Sequence, residues 1–194
     1  MAVHSLRGGF WAVLLFGGIA LCNPFDHLVI AAAVVPAPLS HSLDGLWKAG
    51  PGAAVAVETP FCRGRIGVQA ASARFDGTAP DRPAFRTIWT WLEWSGGLRL
   101  AEALRFRAGL RLGNAYMRFE PDARFPDLGA IGESELVMGL WGRLAVRVAP
   151  AWTLRAEIGH SWMFTRSRIE MTRLRLGVAW AVPTPGWLRR FLDG

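Results

Sequence analysis

From Arg173 to Val182 the chain alternates. Leu174, Leu176, Val178 and Trp180 fall on one side, and Arg173, Arg175, Gly177 and Ala179 on the other. Period two is the signature of a strand, whose successive side chains point to opposite faces. Three further segments repeat it. Leu104, Phe106, Ala108, Leu110 and Leu112 oppose Arg105, Arg107, Gly109 and Arg111. Leu136, Met138, Leu140, Leu144, Val146 and Val148 oppose Gly139, Trp141, Arg143, Ala145 and Arg147. Trp152, Leu154, Ala156, Ile158, Trp162 and Phe164 oppose Arg155, Glu157, Gly159 and Ser161. A strand between lipid and a wet lumen needs one greasy and one polar face. A soluble barrel shows the same alternation with the faces reversed.

Turn signals divide the body into strands at 53–58, 64–75, 85–100, 104–119, 135–148, 152–165 and 169–182. Thr59-Pro60 ends the first, and Gly96-Gly97 marks a bulge in the third. Ala101-Glu102-Ala103 and Ala149-Pro150-Ala151 are tight reversals, while 76–84 and 120–132 are longer polar loops rich in proline. In an outer-membrane barrel short turns lie on the periplasmic side and long loops outside. Segment 53–58 then runs downwards, and something must climb before it. Leu28–Val35 is the remaining apolar, β-prone stretch, with Pro36–Gly52 as the first external loop. The expected fold is an all-β, eight-stranded antiparallel up-and-down barrel. Its first two strands are short against the ~9–11 residues a spanning strand needs.

The front of the chain reads as an export signal. His4 and Arg7 precede an apolar stretch from Gly8 to Leu21, and Ala20-Leu21-Cys22 offers small residues at the positions a signal peptidase checks. A second site after Ala31-Ala32-Ala33 also fits, but cleavage there removes the first strand. The expected organisation is a signal peptide at 1–22, a barrel at 23–182 and an amphipathic tail at 183–194, where Trp187, Leu188, Phe191 and Leu192 stand beside Arg189 and Arg190.

Charge adds to the picture. The formal balance is +7, and Lys48 is the one lysine. The arginines are spread along alternating strands rather than clustered, which argues against nucleic acid as a partner. Four histidines without ligand spacing and two cysteines, Cys22 and Cys62, indicate no metal and no cofactor.

Three features favour the lipid-outward orientation. They are the export signal, the tryptophans near strand ends (Trp94, Trp152, Trp162, Trp180), and the glycine and alanine set between arginines, as a narrow lumen requires. Over residues 28–182 the chain resembles the small bacterial outer-membrane β-barrels, the group that includes OmpA- and OmpX-type barrels. Their assembly signal runs polar, any, Gly, any, any, hydrophobic or aromatic, any, hydrophobic. Arg175, Gly177, Trp180 and Val182 match it in the last strand, and Glu157, Gly159, Trp162 and Phe164 match it one strand earlier. Such proteins usually end on that strand; here Pro183–Gly194 continues. The resemblance implies an outer-membrane location, contact with membrane lipid and lipopolysaccharide, and assembly by the barrel-assembly machinery.

The expected lumen face carries a charge network of Glu58, Arg65, Arg99, Arg105, Arg107, Arg111, Arg143, Arg147, Arg155, Glu157, Arg173 and Arg175, with Glu93 beside it. Paired, these side chains plug the barrel and set its register; the surplus arginines could also hold a phosphate-like anion. An open diffusion pore would need ~16 strands. The leading functional reading is a structural or interaction role, an anchor with external binding loops. A second is a lipid-modifying barrel of the lipid A deacylase type. Adjacent His160 and Ser161, with Glu170 on the next strand, would have to supply its chemistry, yet neighbours on a strand face opposite ways. A third is a soluble lipocalin-like carrier. Export with cleavage after Cys22 is expected to give a mature chain that begins at Asn23; the intact mass of protein extracted from cell envelopes checks this, and a chain starting at Val34 would contradict it.

Overall fold

The computed structural model describes residues 25–40, 43, 45–80, 82–120, 132–165 and 168–193. The expected signal peptide, 1–22, lies outside them. Eight strands run in chain order: β1 (His27–Val35), β2 (Trp47–Phe61), β3 (Gly64–Gly77), β4 (Phe85–Arg99), β5 (Leu104–Phe119), β6 (Gly132–Arg147), β7 (Trp152–Met163) and β8 (Ile169–Pro183). Each pairs antiparallel with its neighbours, and β1 closes on β8 to complete a barrel. Closure removes every sheet edge, so all ladder groups are paired within the protein, as a hydrocarbon environment demands. A short helix, α1 (Gly186–Asp193), follows β8.

The greasy parity points outwards. Leu110 is 56% exposed and Ile158 59%, while Glu157 is 4% and Arg143 3%. This inside-out arrangement excludes the lipocalin-like reading, in which the arginines would face water. Trp94, Trp152 and Trp180 stand on the outer face near the short-turn end, with Trp152 and Trp180 stacked across β7 and β8 at 6.0 Å. Indoles suit the membrane–water interface because a flat apolar ring carries one polar N–H.

The strands depart from expectation most clearly in three respects, at the two ends of β2 and at Gly96-Gly97. β2 has fifteen residues rather than six, because it starts at Trp47 and ends at Phe61. Pro51 is accommodated by a register shift between Ala49 and Gly52, where a residue without an N–H costs no ladder bond. Pro60 lies one residue from the strand end, and its carbonyl accepts from the Phe25 N–H at 3.2 Å. The first external loop is correspondingly shorter than Pro36–Gly52. Third, Gly96 and Gly97 form no bulge: they stay in register with Ala108 and Arg107. The Gly97 position is small because a Cβ there would lie 2.7 Å from the Arg107 Cγ.

Short reversals join β2 to β3 at Cys62-Arg63, β4 to β5 and β6 to β7, and both barrel termini lie at that end. Cys62 takes a positive φ of 52° in its reversal. The longer connections lie at the opposite end, which the turn-length rule places outside the cell.

The barrel seam is tight. Gly177 on β8 pairs with Ala33 on β1, and a Cβ built there would come within 2.7 Å of the Ala33 Cβ. Gly177→Ala is therefore expected to lower stability by about 1–3 kcal/mol. Gly142→Ala, whose new methyl would meet only Phe106 at 3.6 Å, is expected to be tolerated. Heat-modifiable gel mobility and denaturant midpoints compare the two; equal behaviour would contradict the seam argument.

Candidate functional site in the lumen and on the outer rim

The lumen is layered. At the long-loop end it is apolar. Phe75, Phe85 and Phe119 occupy directly paired positions on β3, β4 and β5. Phe75 and Phe85 stack at 4.7 Å, Phe85 and Phe119 lie 5.3 Å apart, and Trp47 meets Phe85 edge-on at 5.6 Å. Val35, Leu43, Met117, Val137, Met163 and Met171 complete this plug. Cross-strand aromatic pairs give the sheet both area and geometry.

Below the plug is an ionic waist organised by two carboxylates. Glu157 accepts from Arg111 Nη2 at 2.8 Å, from Arg143 at 2.7 and 2.9 Å, and from Arg175 Nη1 at 3.0 Å. Glu58 accepts from Arg143 and from Arg155 at 2.8 Å, with Arg65 3.8 Å away. Arg143 thus bridges both acids. Arg175 also donates to Gln69. Glu93 lies 3.7 Å from both Arg111 and Arg143.

Three tryptophans line this waist, each on the lumen-facing parity of its strand. The Arg143 guanidinium sits 4.3 Å from the Trp141 ring centre. Arg173 lies 4.0 Å over Trp89 and 5.0 Å from Trp91; among the described residues it has no carboxylate within ion-pair reach. Arg111 and Arg175 each lie 5.2 Å from Trp91. A guanidinium is weakly hydrated and stacks on an aromatic face, so indoles can hold a desolvated arginine where acids are too few. Gly113 and Gly109 make room for them: a Cβ at Gly113 would lie 2.8 Å from the Trp91 ring and one at Gly109 2.9 Å from Trp141. A cavity of about 30 Å3 opens beside the waist against β1 and β2, room for a water or so.

The remaining members of the expected network lie lower. Arg65, Arg105, Arg107, Arg147 and Arg155 line the short-turn mouth, and Arg99 is exposed at its rim. The structure brings Glu58, Arg65, Arg111, Arg143, Arg155, Glu157 and Arg175 into ionic contact, leaves Arg173 on indoles, and keeps Arg99, Arg105 and Arg107 away from acids among the described residues.

His160 and Ser161 point to opposite sides of the wall, as their adjacency requires. Ser161 Oγ is in the lumen, 3.4 Å from the Met171 carbonyl that accepts from it. The His160 ring is outside, with Nδ1 3.0 Å from Thr172 Oγ1, Nε2 3.7 Å from Glu170 and its ring against Trp162 at 4.8 Å. No Ser–His hydrogen bond joins the pair. In the assembly-signal positions, Arg175 is in the waist, Gly177 at the seam and Trp180 on the lipid face.

The outer rim holds a cluster that reading single strands misses. Arg74, Arg86 and Arg118 occupy directly opposed positions on β3, β4 and β5, on the outward parity, just above Ile88 and Tyr116. All three are exposed. Arg74 is held by Asp76 at 2.8 Å and Glu120 at 2.9 Å; Arg86 and Arg118 have no acid in reach among the described residues. Recognising the row requires the register between strands, which no single segment encodes.

Removing the charge of one buried acid leaves its guanidiniums unpaired. Glu157→Gln is therefore expected to cost about 3–5 kcal/mol in equilibrium unfolding. Glu102→Gln, at an exposed rim pair 3.8 Å from Arg147, should leave stability unchanged. Tryptophan fluorescence in a denaturant titration reads both; a small loss for Glu157→Gln would sink the waist's structural role.

No protein-family model and no curated protein sequence matches the chain. Solved structures do. The chain is similar to Neisserial surface protein A (NspA), with 13% identity and a TM-score of 0.65 over 82% of this chain and 99% of that one. It is also similar to Ail, the attachment invasion locus protein of Yersinia pestis, solved in complex with the heparin analogue sucrose octasulfate; there the identity is 12% and the TM-score 0.51, over 80% and 97% of the two chains. The N-terminal β-barrel domain of Pseudomonas aeruginosa OprF matches at 8% identity and a TM-score of 0.50, over 82% and 100%. The chain has the fold of the small eight-stranded outer-membrane β-barrels.

Proposed function

We propose that the protein is an integral outer-membrane barrel with an interaction role, anchored in the outer leaflet by lipopolysaccharide. The signal peptide at 1–22 would export it, and the barrel-assembly machinery would read Arg175, Gly177, Trp180 and Val182. The observation that carries the reading is the Arg74–Arg86–Arg118 row. Like charges directly opposed across strands repel. Their placement at the top of the apolar belt matches the height of the phosphates of an outer-leaflet glycolipid, and guanidinium forks bind phosphate bidentately. Ail, which shares the fold, was solved with a polyanionic sugar. The long-loop end above the row would present the surface for a further partner, and the plugged lumen would supply a rigid base.

At the other membrane face, Trp187 and Phe191 of α1 are one turn apart and 67% and 79% exposed. The Arg189 side chain ties the helix to the Asp26 carbonyl at 3.1 Å. This pair would seat α1 in the inner leaflet.

Purified lipopolysaccharide is expected to raise the unfolding midpoint of the protein in detergent. Arg86→Ala with Arg118→Ala should weaken that binding about 30-fold, at roughly 1 kcal/mol per guanidinium. An undiminished stabilisation in the double variant would overturn the reading.

A further inference from the structure

At the short-turn end the lumen opens into a cavity of about 150 Å3, lined by His27, Arg65, Arg105, Arg107, Arg147 and Arg155. The rest of its wall is alanine, valine, proline and threonine, and no carboxylate lines it. Glu58 belongs to the waist above and is shared among Arg65, Arg143 and Arg155, and Asp26 stands next to His27 in the chain at the rim. Arg147 reaches only the exposed Glu102 on the rim, at 3.8 Å. Arg105 and Arg107 have no acid within ion-pair distance among the described residues. His27 does not add to the charge: its Nε2 accepts from Arg65 Nη2 at 2.9 Å, which requires the neutral ring.

Arg65, Arg105, Arg107 and Arg155 share the wall of this one cavity, where like charges disfavour one another. The waist satisfies its arginines with carboxylates and indoles. In the basin below, Arg155 and Arg65 share Glu58 and Arg147 has only an exposed rim acid, while Arg105 and Arg107 have no acid within ion-pair distance among the described residues, yet all five line one concave space. A concave, arginine-lined site of this size, open to water on one side, is shaped for a small multivalent oxyanion. Planar guanidinium forks pair with phosphate oxygens two at a time, which a monatomic anion cannot reproduce.

We propose that this basin binds a phosphate-class anion from the periplasm, a free phosphate or the phosphoryl group of a small soluble ester. The site is at the opposite end of the barrel from the outer arginine row and uses none of its residues, so it stands or falls apart from the lipopolysaccharide reading. An anionic phospholipid carries the same chemistry. However, the basin is inside the ring of strands while acyl chains lie outside it, so a headgroup would have to leave its leaflet and cross the rim. The soluble source is the one the geometry favours.

The test uses the full chain in a maltoside detergent, free of phosphate, in chloride buffer. Calorimetric titration with inorganic phosphate and with pyrophosphate is expected to give saturable binding, tighter for pyrophosphate. Arg105→Ala with Arg107→Ala should weaken it roughly tenfold or more, while Lys48→Ala, at an exposed position near the long-loop end of β2, should leave it unchanged. Heat-modifiable mobility certifies that each variant folds, and Arg105→Gln with Arg107→Gln replaces the alanine pair if that one does not. Absence of saturable heat with either anion, or equal affinity in the basin variants, overturns the proposal. A second arm compares nanodiscs of phosphatidylcholine alone with discs containing phosphatidylglycerol. Equal pyrophosphate affinity in both supports the soluble anion; affinity lost in the anionic discs assigns the basin to lipid headgroups and overturns it.

Discussion

The structure depends on two carboxylates that must satisfy several arginines in a place where water cannot. A small membrane barrel gains nothing by burying its outer face, since lipid tails are as apolar as leucine. Its specific packing has to come from the lumen. Glu58 and Glu157 gather guanidiniums from β3, β5, β6, β7 and β8, with Arg143 spanning both acids. Buried ion pairs contribute little net stability but penalise any arrangement that separates them. Strand register is what they enforce: a shift by one residue would swing Glu157 into lipid and leave Arg111, Arg143 and Arg175 unpaired.

The arginines outnumber the acids, and the protein resolves the imbalance differently at each depth. At the waist, indoles take the place of missing carboxylates, most completely for Arg173 between Trp89 and Trp91. Towards the outside the charges stop, and phenylalanine and methionine fill the same parity. Towards the periplasm the charges continue with fewer acids to meet them, none within ion-pair distance of Arg105 or Arg107 among the described residues, and the packing opens. A gradient runs through one lumen, from dry and apolar to wet and cationic.

Much of this was legible in the chain. Leu174 and Arg175, or Leu110 and Arg111, declare their two faces by alternation alone, and turn lengths indicate the number of strands. Residues with more than one structural meaning were harder. Pro51 falls within the expected loop and Pro60 at an expected strand end, yet β2 takes in both, through a register shift and a position next to its last residue. Gly96-Gly97 reads as a bulge, but the need was room beside Arg107. Trp89, Trp91 and Trp141 belong to a residue type expected at interfaces, and only their shared parity with Glu93 and Arg143 hints at the lumen. Pairings such as Glu58 with Arg155 join distant strands around the barrel. The Arg74–Arg86–Arg118 row likewise exists only once three strands are aligned. Faces are local information; what stands opposite a face is not.

The aromatic ladder beneath the outer rim turns the barrel into a blind vessel. Its interior is in contact with one compartment, through the inner mouth, while its exterior rim is in contact with the other. The interior and the outer rim can therefore bear unrelated ligands, with the Phe75, Phe85 and Phe119 side chains standing between them.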